Sequence, residues 1–383
     1  EEWSERSGWP EHSTLTVRAQ DGALAIPWYF EGEQEHVLLI DEAPPASPSA
    51  PSIDVRIYSL QPDLLPRWPQ KGDLHVHSVR SDGRELPAYV AAAGRRIGLD
   101  FMAITDHGLY APSLEAMRAF DGVPLDLALY PGEEVHPPES PVHMINFGGD
   151  HSVNSLFALR DYRQQVAALI SSQGPLPAGV DAYQYASTCW ALAEDRRGGG
   201  IAIYCHPYWF TDNRYSPSGA LNSWILQTRP FDAFELIGGY WLHETESNQL
   251  QVSRYHQERA EGRPTPIVGS SDAHGCERGL FGWYYTLAFA PDASLPSLRE
   301  AILSGYSVAV EALPGESVRP HGPFRLVKYA LFLLRHVLPQ HDSLCEPQGR
   351  AMMRHAGGDP SAAQDLGELR GQVATLYRQL WAR

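Results

Sequence analysis

The chain has 383 residues, 43% of them hydrophobic, and a formal charge of -16 at pH 7. That length allows one large domain with appendages or two modest domains, either able to bury a core, and it excludes neither enzyme nor binding module. The hydrophobic content excludes a disordered chain, no apolar run reaches the roughly 18 residues of a membrane span, and the acidic balance argues against a broad nucleic-acid surface, which needs a basic stripe.

The first residue is Glu rather than Met, which is compatible with a processed leader. Short alternating runs, Thr14–Val17 and His36–Ile40, predict strands of a small N-terminal element within residues 1–70. The proline-rich segment 43–51 predicts an extended linker. From residue 71 to about 310, β-rich runs near 73–77, 100–105, 127–135, 142–147, 201–205, 233–237 and 266–270 alternate with helical patterns near 86–97, 112–120, 184–196 and 244–261. That alternation predicts a parallel α/β domain with its reactive groups at the C-terminal strand ends. The stretch 148–200 exceeds what a strand connection needs and predicts a lid or substrate wall, with Trp190, Tyr208, Trp209 and Trp241 as candidates to line it. Residues 311–383 predict a helical extension: the apolar run 324–335 and the pattern over 361–382 should cover the main domain or make a homo-oligomer contact. The cysteines Cys189, Cys205, Cys276 and Cys345 show no C-x-x-C spacing, which suits a reduced, cytoplasmic setting; Cys205 and Cys276 read as packing residues.

The chemistry lies where the apolar runs end. His75 and His77 stand two apart on an expected strand, so both imidazoles project from one face. Such a pair is common by chance among 16 histidines. Ser81–Asp82–Gly83 follows as a turn, and by itself is no more than that. Then come Thr105–Asp106–His107, Gly132–Glu133–Glu134–Val135–His136, a histidine at a strand start in Val142–His143–Met144, Cys205–His206–Pro207 and Ser271–Asp272–Ala273–His274. Each is ordinary alone. Together they gather imidazoles and carboxylates at one end of successive strands, where they would repel or stay undersatisfied unless cations held them.

This ordered series resembles the polymerase-and-histidinol-phosphatase (PHP) family, whose pattern runs D-L-H-x-H-S, S-D-G, T-D-H, G-x-E, a lone H, H-P and S-D-x-H. The resemblance spans residues 73–274. It implies a distorted seven-stranded (β/α) barrel holding two to three Zn, Mn or Fe ions. It makes His75, His77 and Asp272 ligands of a first ion, Glu134 a bridge to a second completed by His143 and His206, and Asp82, His107 and His274 ligands of a third. Asp272 and His274 are implied as catalytic residues too. Glu133 beside Glu134 should point the other way on a strand, and His136, on the Glu134 face, is a candidate substrate contact that could also displace His143.

A metal-bridging hydroxide would be the nucleophile, acting on a small phosphate mono- or diester. Arg80, Arg84 and Arg278 flank the motifs and are candidates to bind the phosphate, with Tyr208 a further substrate contact. The competing readings are an ester, amide or carbamate hydrolase on the same scaffold and a non-catalytic metal-binding module. The complete ligand series argues against the last.

Overall fold

A computed structural model describes residues 13–42, 53–239, 244–277 and 281–381. Contacts divide the chain into two compact units, Glu1–Gln61 and Pro62–Arg383. In the first, β1 (Glu35–Ile40) pairs antiparallel with β2 (Ile53–Tyr58). The run at 14–17 forms no strand, and the proline-rich segment, 43–51, lies outside the described residues. Leu15 is exposed, so burial does not hold that run in a ladder.

The second unit begins with β3 (Trp68–Asp73), β4 (Phe101–Ala103), β5 (Ala128–Tyr130), β6 (Gly132–Val135) and β7 (Met144–Phe147). It continues through β8 (Ile201–Tyr204), β9 (Trp209–Thr211), β10 (Arg214–Ser216), β11 (Ala233–Ile237) and β12 (Ile267–Gly269), then β13 (Tyr284–Ala290), β14 (Ser307–Glu311) and β15 (Arg319–His321). The described ladders form a six-stranded sheet, β15-β14-β13-β3-β4-β5, a five-stranded sheet, β12-β11-β8-β7-β6, and the hairpin β9-β10. β7, β8 and β11 are fully buried, which is why, Asn146 and Glu235 apart, their sequences read as apolar runs without alternation.

The expectation of a parallel layout needs correction. β3-β4-β5 and β8-β11-β12 are parallel, but β6-β7-β8 and the pairings of β13 with β3 and β14 are antiparallel. The loop between Val135 and Met144 is too short for the crossover that parallel neighbours require. Two isolated parallel bridges, Val76 with Ala273 and His107 with Glu134, join the two sheets just beyond the strand ends.

Residues 148–200 fold into helices Val153–Leu156, Tyr162–Ser172 and Ala182–Arg197. Tyr162 and Trp190 are buried in one core cluster with Met144 and Tyr204, their rings 4.8 Å apart edge to face. The helices of this segment are therefore an outer layer rather than the expected lid or substrate wall, because Tyr162 and Trp190 face the sheet. Trp241 lies outside the described residues.

The C-terminal helices Phe324–His336, Leu338–Ala356, Ala362–Leu369 and Gln372–Leu380 belong to the same unit. Ala351, Met352 and Leu366 share a core with Val90 and Met102. The long helix lies so close to helix Pro87–Arg96 that a Cβ on Gly349 would meet the Arg96 amide nitrogen at 2.2 Å. No described helix is long and apolar enough to cross a membrane.

Candidate metal centre

His75 and His77 follow β3 in extended backbone. Asp272 N donates to His75 O at 2.8 Å and His77 N to Ala273 O at 2.9 Å on one side, and Thr105 N donates to Val76 O at 2.8 Å on the other, so the segment is pinned between two neighbours. Their Nε2 atoms stand 3.2 Å apart. Asp272 Oδ1 faces both, at 3.2 Å and 2.9 Å, and Glu134 Oε2 lies 3.6 Å from each. Glu134 Oε1 faces His143 Nδ1 at 3.0 Å and His206 Nε2 at 3.1 Å. Asp82 turns its two oxygens to His274 Nε2 at 3.2 Å and His107 Nε2 at 3.4 Å. The nine residues of the ligand series thus converge in one cluster, in three adjoining groups.

Local chemistry explains how each is aimed. Asp106 accepts from Ser78 N, Ser81 N and both serine hydroxyls, which folds residues 78–83 into the turn that presents Asp82. Gly83 closes that turn: a Cβ there would meet His77 O at 2.7 Å. Glu133 points away, accepting from Ser152 Oγ, Val153 N and Asn154 Nδ2, while Glu134 faces inward, as alternation along a strand requires. His206 and Asp272 have φ of 28° and 48°, left-handed backbone that costs energy for non-glycine residues and collects at functional sites.

Two buried carboxylate oxygens test whether cations fit. Glu134 Oε2 and Asp272 Oδ1 are surrounded by imidazole nitrogens yet receive no hydrogen bond of proper geometry. Such atoms are costly unless something else satisfies them. A borderline-soft divalent ion with nitrogen and oxygen ligands is suited to this donor set. Burial alone would raise the Glu134 carboxyl, but His107, His136, His143 and His206 outweigh it and hold it well below the usual range. Asp272 is likewise held low against burial, by His75 and His77. Burial lowers His143 to about 4, leaving its ring neutral and able to donate a lone pair.

The described residues also contain parts that sequence reasoning missed. Glu235, fully buried in β11, places Oε2 3.1 Å from His75 Nδ1, and its Oε1 accepts from His206 N at 3.3 Å. Asp73 Oδ1 accepts from His75 N and Ser271 N, tying the ends of β3 and β12 together, and burial pushes its carboxyl up to about 7. A lone glutamate amid the apolar run Ala233–Ile237 was the available signal for Glu235.

The candidate substrate contacts separate. His136 stands inside the cluster, its Nε2 3.1 Å from His107 Nδ1. Arg80 is exposed and held by Glu115 in a two-pronged pair at 2.8 Å. Arg84 is exposed and lies along Gly275, next to His274. Tyr208 packs on the hydrophobic core, whereas the Trp209 ring lies 5.8 Å from both His143 and His206. Arg278 lies outside the described residues. Burial, with Glu134 and Glu235 nearby, pushes the Cys205 thiol well above its usual range, so it is a packing group rather than a nucleophile.

Fold and site together define a mixed α/β protein with a histidine–carboxylate cluster suited to divalent metal binding. No family model and no curated protein matches the sequence. Its structural neighbours include a two-domain Bacteroides vulgatus protein containing a predicted PHP-like metal-dependent phosphoesterase, at 18% identity and TM-score 0.45, covering 64% of this chain and 65% of that one. A Bifidobacterium adolescentis protein inferred to be a metal-dependent phosphoesterase aligns at 22% identity and TM-score 0.35, over 55% of this chain and 89% of that one. A lesion-specific endonuclease from Pyrococcus furiosus aligns at 14% identity and TM-score 0.36, over 62% of this chain and 56% of that one. The chain thus spans less than two thirds of the length of the first and third of these.

Proposed function

We propose that this protein is a metal-dependent hydrolase of the PHP type, acting as a phosphoesterase on a small phosphate mono- or diester. The observation that carries the reading is the convergence of His75, His77, Asp82, His107, Glu134, His143, His206, Asp272 and His274, with two buried carboxylate oxygens lacking hydrogen-bond geometry. The two isolated bridges, which bring the end of β3 beside that of β12 and the end of β4 beside β6, support the seven-stranded barrel reading that the motif resemblance implies.

His75, His77 and Asp272 would hold one ion, Glu134 would bridge to a second on His143 and His206, and Asp82, His107 and His274 would hold a third. When bound, the ions supply Lewis acidity toward a phosphoryl oxygen and make water more acidic. Glu235 fixes the His75 ring by engaging Nδ1, which leaves Nε2 free to ligate. Arg84, exposed beside the turn that follows His274, is a guanidinium available to an incoming phosphate. Trp209 walls the His143–His206 side against water.

The purified protein should contain two to three moles of transition metal per chain, and His77→Ala or Asp272→Ala should lose both metal and hydrolysis. Nitrophenyl phosphate, bis-nitrophenyl phosphate and a nitrophenyl carbamate, assayed in parallel, decide the bond. Turnover of the carbamate alone would overturn the phosphoesterase reading, and absence of metal after growth with Mn, Fe and Zn would overturn the hydrolase.

A further inference from the structure

The nine-residue series does not include His136, yet this side chain is built into the centre. Its backbone amide donates to Asn154 Oδ1 at 3.1 Å, and Asn154 Nδ2 in turn donates to Glu133 Oε2 and Glu134 O. Its ring stacks on His143 with centroids 3.9 Å apart and an interplanar angle of 14°. With backbone and ring both constrained, Nε2 points at two atoms: His107 Nδ1 at 3.1 Å and Glu134 Oε2 at 3.3 Å. That oxygen is one of the two buried carboxylate atoms with no properly directed hydrogen bond. Glu134 is itself fully buried, so the unsatisfied oxygen points into the group.

We infer that His136 is a metal ligand, acting through Nε2 with Glu134 Oε2 and His107 Nδ1 at the solvent side of the cluster. The inference rests on the metallohydrolase reading; it changes the role of His136 from substrate contact to ligand and moves His107 from the Asp82–His274 group to this one. Two neutral imidazole nitrogens 3.1 Å apart satisfy one another only when one carries a proton; with both lone pairs exposed they need a shared cation. His107 then acts through Nδ1, and its proton sits on Nε2, facing Asp82 Oδ2 at 3.4 Å. That carboxylate–imidazole–metal arrangement is the one that orients ligating histidines generally. About a third of the His136 side chain is exposed, so an ion here meets solvent and exchanges before the buried ones.

The test uses the full chain stripped of metal and titrated with Co(II), read by visible absorption and by metal content after gel filtration. His136→Ala removes the nitrogen; His136→Phe removes it but keeps an aromatic ring on His143, guarding against loss of packing. Both variants should retain about one cobalt fewer per chain than the wild type, or bind one at least tenfold more weakly, with unchanged circular dichroism. Wild-type cobalt content and affinity in His136→Phe would overturn the inference while leaving the hydrolase reading intact. Failure of the wild type itself to bind cobalt would instead overturn the reading beneath it.

Discussion

At the scale of single residues, the cluster is held by groups outside the ligand series. Glu235 bonds to Nδ1 of His75, and removing such a carboxylate partner typically weakens metal binding or activity about 10–100-fold. Glu235→Gln should therefore retain metal about 10–100-fold less tightly while folding normally, measured by competition with a chelator; unchanged retention would make Glu235 a packing residue. Asp272 separates charge from backbone. Its φ of 48° is tolerated by Asn, so Asp272→Asn should keep the fold and lose metal. Strand alternation allowed only one of Glu133 and Glu134 to face the cluster, the motif resemblance selected Glu134, and the structure turns only Glu134 inward. Glu235 was not legible as a partner of His75, because 160 residues separate them and no local pattern links them.

At the scale of elements, the C-terminal helices are tied to the sheet by a buried polar network. His341 Nε2 lies 3.0 Å from Asp100 Oδ1, which also accepts from Arg95 Nη1 at 2.9 Å, and Lys71 Nζ donates to Asp342 Oδ2 at 2.9 Å. Burial alone would depress His341, but Asp100 and Asp342 outweigh it and raise its pKa well above the usual value. A histidine raised in the folded state contributes fully below its unfolded pKa of about 6.5, and that contribution fades as pH rises through the folded value. The stability gap between wild type and His341→Gln, from urea midpoints, should thus be widest below about pH 6.5 and narrow toward alkaline pH. Gly349 gives a second test. Its missing side chain permits the close helix approach, and overpacking of this kind costs about 1–3 kcal/mol. Gly349→Ala should lower the thermal midpoint accordingly, with metal content unchanged. Helix Leu338–Ala356 falls within the predicted helical extension 311–383 but outside the two patterns named in it, because it carries an internal Pro347, and Gln348 and His341 on its buried face obscure the apolar period.

At the scale of the whole molecule, the proposed ligands, borne on or beside β3, β4, β6, β7, β8 and β12, meet only when the fold is complete, so metal binding should be linked to global stability. A site bound at 100 times its dissociation constant adds about 2.7 kcal/mol. Chelation should lower the thermal midpoint and resupplied Zn or Mn restore it, whereas His77→Ala should respond to neither; a wild-type midpoint indifferent to chelator would contradict the metal centre. The sequence alone determined which residue types end the strands and in what order, since a carboxylate or imidazole closing an apolar run is a local feature. It could not determine that β6 and β7 run antiparallel, that the helices of residues 148–200 pack on the sheet while Asn154 among them anchors the Glu134–His136 backbone, or that the C-terminal helices share its core. Those outcomes depend on loop length, on which aromatic faces find a partner, and on the depth of one glycine contact, all settled by packing between distant segments. For the centre that begins at His75 and His77, the sequence supplied the donors, and the tertiary structure alone brought their nitrogens and oxygens to within about 3–4 Å of one another, where one cation can satisfy several.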